Sequence, residues 1–314
     1  MASTIVTALL PVVVTMLLGV LAGWHADFVE EQANVLTRMV LLYALPLNLF
    51  AGIIGMSSIE VLRQDRRVVV MLISMIGSYA VTLAIARYLF RRDLAVTSLQ
   101  ALAIGAPSVN FVGVPVLGNL FGTTSTVPIS AATVALMVVE VPATVMLLSA
   151  STSDKRTAIG RGALTLVSPA VHALRQPVVW SPLLALLLVL LDVQFPTALR
   201  DSLFLLGNAT GGVALFASGI ILYSQRVRIS LPTSISVVAR NIVMPVVTWG
   251  LLLIGGFRPE PTQEVVLSMG LPTATISIIL AVQYRTAAQE MASTLLFSTL
   301  LSVVTMSAMI WLMS

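Results

Sequence analysis

Ten mostly apolar runs follow one another along this chain, each close to the roughly 20 residues that carry a helix across a bilayer. They are Ile5 to Trp24, Arg38 to Gly55, Val68 to Phe90, Val96 to Phe121, Pro128 to Ser149, Val178 to Val193, Leu203 to Tyr223, Leu231 to Gly256, Pro261 to Gln283 and Met291 to Met313. The sixth is short, which leaves room for a start nearer Ala173. Only 10% of the residues are charged, against roughly 25% in soluble domains, so a water-soluble fold would be unable to cover itself. A β-barrel would show short segments of alternating polarity, whereas these runs are apolar on every side and rich in Leu, Ala and Met. The expected fold is therefore all-α and integral to the membrane, with about ten transmembrane helices.

Residues Met1 to Thr4 carry no Lys or Arg ahead of the first run, and that run is long. The first span is expected to stay in place rather than be cleaved as a secretory signal. The absence of Cys excludes disulfides, thiolate metal sites and a cysteine nucleophile. A net charge of +4 does not point to nucleic acid, because the charges sort by loop. One set of loops holds Arg87, Arg91, Arg92, Lys155, Arg156, Arg161, Arg175, Arg226, Arg228 and Arg285, with Arg38 at a helix edge. The other holds Arg63, Arg66, Arg67, Arg200 and Arg258. The bias of basic residues toward the cytoplasm places the first set inside and both termini outside the cytoplasmic (inner) membrane. The cluster Arg63, Arg66, Arg67 runs against that assignment, with Glu60 and Asp65 beside it. The longest polar stretch, Ser151 to Gln176, is then a cytoplasmic linker between residues 1–150 and 177–314, its basic residues facing anionic lipid headgroups.

The two parts so divided share sequence. Leu49-Phe50-Ala51 in the second run reappears as Leu215-Phe216-Ala217 in the seventh, at an offset of 166. Gly105-Ala106-Pro107-Ser108 in the fourth reappears as Gly270-Leu271-Pro272-Thr273 in the ninth, at an offset of 165. Either match alone is weak; two at offsets that differ by a single residue are harder to attribute to chance. Five spans separate the equivalent helices, an odd number, so the expected halves are inverted repeats, an architecture common among secondary transporters.

Pro107 and Pro272 fall near the middle of the fourth and ninth runs. Each removes a backbone donor, clashes with the preceding turn and pushes its predecessor toward extended geometry, so both helices should break at mid-membrane. Unwound backbone is tolerated there only where it lines a cavity or is buried in protein. The second half-helices are expected to begin near Ser108 and Thr273, whose hydroxyls suit capping, and two positive helix ends at one break attract an anion. Pro46, Pro115, Pro142 and Pro245 read as ordinary kinks, since proline is frequent in membrane helices.

Through Pro107-Ser108-Val109-Asn110-Phe111-Val112-Gly113-Val114-Pro115, through Leu271-Pro272 with the apolar stretch to Tyr284-Arg285, and through Ala44-Leu45-Pro46, the chain resembles the auxin efflux carrier family over nearly its whole length. The resemblance implies ten spans in two inverted five-helix repeats, with the fourth and ninth crossing at Pro107 and Pro272. It implies helices one, two, six and seven as scaffold and the rest as the moving part. Plant members carry Asn directly after the first crossing proline; here Ser108 stands in that place and Asn110 two residues on. Length and a short central loop resemble the bacterial malonate and malate carriers more closely. The substrate so implied is malonate or a similar dicarboxylate, with an auxin-like or other organic acid as the alternative.

Two ionisable residues lie deep in apolar runs. Arg240, followed by Asn241, has a planar fork suited to a substrate carboxylate, or it snorkels to the interface. Glu140 either carries a coupling proton or, ionised, pairs with Arg240. Asn48 and Asn208 face solute or join helices, the latter being the safer reading, and Gly211-Gly212 reads as close packing. The candidate substrate site is thus Pro107, Ser108, Asn110, Pro272, Thr273, Arg240 and Asn48, with Glu140 for coupling. His25 and His172 read as interfacial, with no metal set around either. No cofactor is expected, proton or sodium coupling stays open, and a homodimer is neither required nor excluded.

The function classes separate on these features. No P-loop pattern is present, so ATP is not the driver within this chain. An intramembrane enzyme would need paired Asp, a Ser with a nearby His, or His-Glu-x-x-His at depth, and the runs contain none of these. Breaks in paired helices argue against a passive channel. The expectation is a non-enzymatic secondary transporter of a small organic anion working by alternating access.

Overall fold

The apolar runs fold into helices, and the ends of these helices follow local chemistry more closely than hydropathy. The computed structural model describes residues 2–55, 66–154, 175–225, 228–257 and 262–313. Among the described residues, six helices are long and apolar enough to cross a membrane: α2 (Glu30–Ile54), α3 (Arg66–Leu89), α6 (Val127–Ser151), α8 (Thr197–Ser224), α9 (Leu231–Ile254) and α12 (Ala288–Met313). Joining them are α1 (Ala2–Trp24), the shorter apolar α4 (Leu94–Gly105) and α7 (Pro177–Leu190), and the half-length α5 (Val114–Phe121), α10 (Gln263–Gly270) and α11 (Ile276–Gln283). The second helix starts eight residues before its apolar run. Glu30 and Glu31 occupy its first turn, where negative charge is favoured, and the Gln32 side chain accepts from the Val29 N–H at 2.8 Å. The helix of the sixth apolar run, α7, begins at Pro177, whose fixed φ suits a first helical position; Ala173 itself lies outside the described residues, as do most of the polar linker and His172.

Four of the prolines read as plain kinks each follow a π-helical turn. The turn Val40–Ala44 precedes Pro46, Val109–Gly113 precedes Pro115, Ala135–Glu140 precedes Pro142, and Ala239–Val243 precedes Pro245. Proline lacks the N–H that would reach back four residues and its ring crowds that carbonyl; a widened turn relieves the crowding. The consequence is positional. Glu140 and Arg240 both sit in such turns.

Burial is inverted relative to a soluble protein. Leu17, Leu187, Leu253 and Val304 are exposed on the outside. Ser and Thr line the interior: Thr97, Ser98, Ser268, Ser277, Ser293, Thr294, Ser298, Thr299 and Ser302 are wholly buried. Apolar surface against lipid provides no drive between helices, so packing and polar contacts hold the bundle. Two sets of helices result. In one, α1 packs on α8, and α2 packs on α7 and α8. In the other, α3 packs on α4 and α9, α4 on α6, and α12 on α9, α10 and α11; α12 also packs on α1 and α8, joining the two sets.

The α1–α8 contact is made by glycines. A Cβ on Gly19 would collide with the Phe216 carbonyl, and one on Gly219 with the Met16 carbonyl, so the two backbones touch. At one end of the other set, Arg92 binds both oxygens of Glu290 at 2.8 and 2.9 Å and the Gln100 oxygen at 2.9 Å. Gln100 in turn donates to Ser236 at 3.2 Å, linking α4 to α9. Hydrogen bonding to Glu290 pushes the Arg92 guanidinium above its usual pKa.

Candidate functional site at a helix crossing

Pro107 and Pro272 break their helices as their chemistry dictates. α4 ends at Gly105 and α10 at Gly270, and the residues that follow, Ala106 and Leu271, are extended. The two unwound segments cross as a single antiparallel bridge between Pro107 and Thr273. The Ser108 N–H donates to the Pro272 carbonyl at 2.8 Å, and the Ala274 N–H to the Ala106 carbonyl at 3.0 Å. Pro107 occupies the position in this bridge where no N–H is needed.

The bridge leaves a set of carbonyls at the ends of α4 and α10 without their helical donors, and each finds another. The Ala103 carbonyl would have accepted from residue 107, which is proline; it accepts from the Thr273 hydroxyl at 2.7 Å. The carbonyls of Ile104, Gly105, Met269 and Leu271 all accept from Arg240, at 2.8, 3.1, 2.7 and 3.0 Å. The Thr273 N–H donates to the Ser298 hydroxyl at 3.0 Å, and Ser298 donates to Asn241 at 2.7 Å. Asn241 closes the network by donating to the Ser298 carbonyl at 2.8 Å.

Beyond the crossing the chains differ. On the first, the π turn Val109–Gly113 begins at once, with the Val112 and Gly113 N–H groups both on the Ser108 carbonyl at 3.0 Å. On the second, helix resumes only at Ile276, with Thr275 at its N-cap position and no side-chain cap. Thr273 is therefore not the capping residue expected from sequence. Its hydroxyl is held by Ala103, and the helix restarts later.

A cavity of about 20 Å³ lies against this crossing, lined among others by Asn48, Pro107, Ser108, Met137 and Thr275. That is room for about one water. Three of the residues expected from sequence, Asn48, Pro107 and Ser108, thus come together, and both half-helix N-termini, at Ser108 and Thr275, meet there. Asn48 has a second task, its amide donating to the Gly207 carbonyl at 3.0 Å, which ties α2 to α8. Pro272 and Thr273 belong to the crossing and do not line the cavity. The side chain of Asn110 lies outside the described residues.

Arg240 departs most from expectation. It is wholly buried and does not snorkel, and its guanidinium meets backbone carbonyls rather than presenting an open fork to a carboxylate. Glu140 makes no ion-pair contact or hydrogen bond with it, although the two buried charges act on each other. The Glu140 carboxyl is 1% exposed, and neither of its oxygens has a hydrogen-bond partner among the described residues. It abuts Gly105: a Cβ built there would lie 3.3 Å from Oε1. The carboxyl and Arg240 therefore reach the same residue, one touching its Cα side, the other its carbonyl. Thr144, which donates to the Glu140 carbonyl at 2.7 Å, contacts Tyr79 Oη at 2.9 Å.

Sequence reasoning missed Thr275, Met137 and Ser298. A second hydroxyl in Pro272-Thr273-Ala274-Thr275 was the available signal for the first. For Met137 and Ser298, in helices with many similar residues, nothing singled them out.

An apolar exterior, a polar interior and unwound segments crossing between buried helices define a membrane protein whose broken helices surround a candidate solute site. The family described as "Membrane transport protein" matches residues 4–310, and the chain belongs to it, in agreement with the auxin efflux carrier motifs around the crossing prolines. Among its relatives, the "Uncharacterized transporter YfdV" of Escherichia coli (strain K12) is 31% identical over 309 residues, covering 97% of this chain and 95% of that protein. The "Putative malonate transporter" of Rhizobium meliloti (strain 1021) is 24% identical over 306 residues, covering 96% and 94%. The chain is a multi-pass membrane transporter.

Proposed function

We propose that this transporter is a secondary carrier that moves a small organic anion, malonate or a similar dicarboxylate, across the cytoplasmic membrane by alternating access. The observation that carries the proposal is the pair of half-helix N-termini at Ser108 and Thr275, which bring partial positive charge to one buried cavity beside unwound backbone. The name of the Rhizobium meliloti relative supports malonate as the first substrate to try. In this reading ten spans form two inverted repeats, residues 1–150 and 177–314, joined by a cytoplasmic linker at 151–176, with both termini outside. The site comprises Asn48, Pro107, Ser108 and Asn110, with Thr275 added. Pro272 and Thr273 frame it, and Arg240 supports it from behind.

A cavity the size of one water does not hold a dicarboxylate, so transport requires the cavity to widen. Leu45 and Asn48 come from α2, the other lining residues from α6, α11 and the crossing segments with the turn that follows Ser108. Separation of the two helix sets opens the site along that seam. Glu140 is the coupling group: a carboxyl at full burial with no hydrogen-bond partner is costly as an anion even with the Arg240 charge acting on it, and a bound proton removes the charge.

Uptake of radiolabelled malonate into proteoliposomes, with and without an imposed proton gradient, tests the reading. Saturable, gradient-driven uptake is expected, with pH dependence flattened in Glu140→Gln. Unchanged pH dependence in that variant removes Glu140 from coupling. Absence of malonate uptake by folded protein sinks malonate and turns the search to other organic anions.

A further inference from the structure

Where two helices end face to face, their C-terminal carbonyls gather negative potential, and half-helix C-termini in membrane carriers are where coupling cations bind. Here four such carbonyls, from Ile104, Gly105, Met269 and Leu271, converge within 3.1 Å of one guanidinium. Each belongs to a chain segment whose own donors have gone elsewhere: the Ser108 N–H to Pro272, the Val109 N–H to Pro107, and the Thr273 N–H to Ser298. The carbonyls come from both broken helices, whereas Arg240 comes from a third, α9, on the π turn before Pro245. A charged side chain at full burial is among the costliest residues to place in a membrane, so its position implies a partner set that holds it. That set is the crossing itself, with the Glu140 carboxyl as an opposite charge acting on it without a direct bond.

We propose that Arg240 is a positioning residue that acts as the built-in cation of the crossing, occupying the seat that would otherwise take a monovalent metal ion. It fixes the two broken helices to each other and to α9, so that the three move as a unit, and it makes the crossing independent of sodium. The inference rests on the transporter reading only for its functional consequence. The structural claim stands on the four bonds.

The direct test is thermal unfolding of purified protein in sodium chloride, millimolar guanidinium chloride or choline chloride, a measurement that needs no substrate. Wild type is expected to show the same Tm in all three. Arg240→Ala is expected to melt lower and to regain stability saturably with guanidinium or sodium but not choline. Arg240→Lys, a point charge with three donors against four carbonyls, should fall between them without a response to added cation. Saturable stabilisation of wild type by sodium overturns the proposal, as does a folded Arg240→Ala protein with unchanged Tm or with no cation response. Should Arg240→Ala fail to fold, Arg240→Lys decides alone: a lowered Tm supports the proposal and an unaltered one overturns it. Malonate uptake in sodium-free buffer adds the functional arm. If wild type carries malonate only with sodium the seat is wrongly assigned, whereas no malonate uptake in either salt is a failure of the substrate reading and leaves the melting result to stand.

Discussion

The contact between α1 and α8 and the crossing of α4–α5 with α10–α11 solve one problem in opposite ways. Both bring backbones together inside the bundle. At Gly19 and Gly219 the helices stay regular and approach because there is no side chain between them. At Pro107 and Thr273 the helices are dismantled, and the exposed peptide groups are satisfied by a β-bridge, a threonine, a serine and an arginine. The first contact depends on shape alone and suits a rigid frame. The second depends on polar bonds, and it brings helix N-termini to a small cavity beside unwound backbone.

Changes that add a side chain to the first region should have the largest effect. Gly219→Leu drives a side chain into the Met16 carbonyl and is expected to cost about 3 kcal/mol or more, read as loss of folded protein or a sharp fall in Tm. Tolerance of that substitution would break the distinction between a shape-held and a bond-held contact. At the crossing, Thr273→Val keeps volume but leaves the Ala103 carbonyl without its donor, an expected loss of about 1–3 kcal/mol. Ser298→Ala removes the acceptor of the Thr273 N–H and should cost about as much, roughly 1–3 kcal/mol. If both are neutral in thermal unfolding, the crossing is held by packing, as α1–α8 is. The smallest effect belongs to Arg92→Ala. The Arg92–Glu290 pair is partly exposed, so its removal should cost no more than about 1 kcal/mol despite its two-pronged geometry.

Much of the bundle was legible in the sequence because hydrocarbon length and apolar runs are tied by geometry. The breaks at Pro107 and Pro272 were legible for a similar reason, proline having no alternative in a helix interior. What surrounded them was not. Arg240 was visible as a deep charge, but its partners are main-chain carbonyls, which every residue carries and no sequence pattern marks. The fork that suits a carboxylate suits two helix ends equally well. The shift of the second helix start from Thr273 to Ile276 depends on the Ala103 carbonyl, 170 positions away, claiming the Thr273 hydroxyl. The π turns before Pro46, Pro115, Pro142 and Pro245 are the subtler loss: each proline read locally as a kink, whereas the widened turns ahead of two of them place Glu140 and Arg240.

Alternating access at the crossing is the central claim, and the chain's lack of cysteine offers a direct way to test it. Ser108→Cys, in membranes of known orientation, should react with a membrane-impermeant thiol reagent applied from either side, and malonate should slow both reactions. Labelling from one side only, or labelling from both that malonate leaves unchanged, would contradict the placement of the transport site between the two half-helix ends.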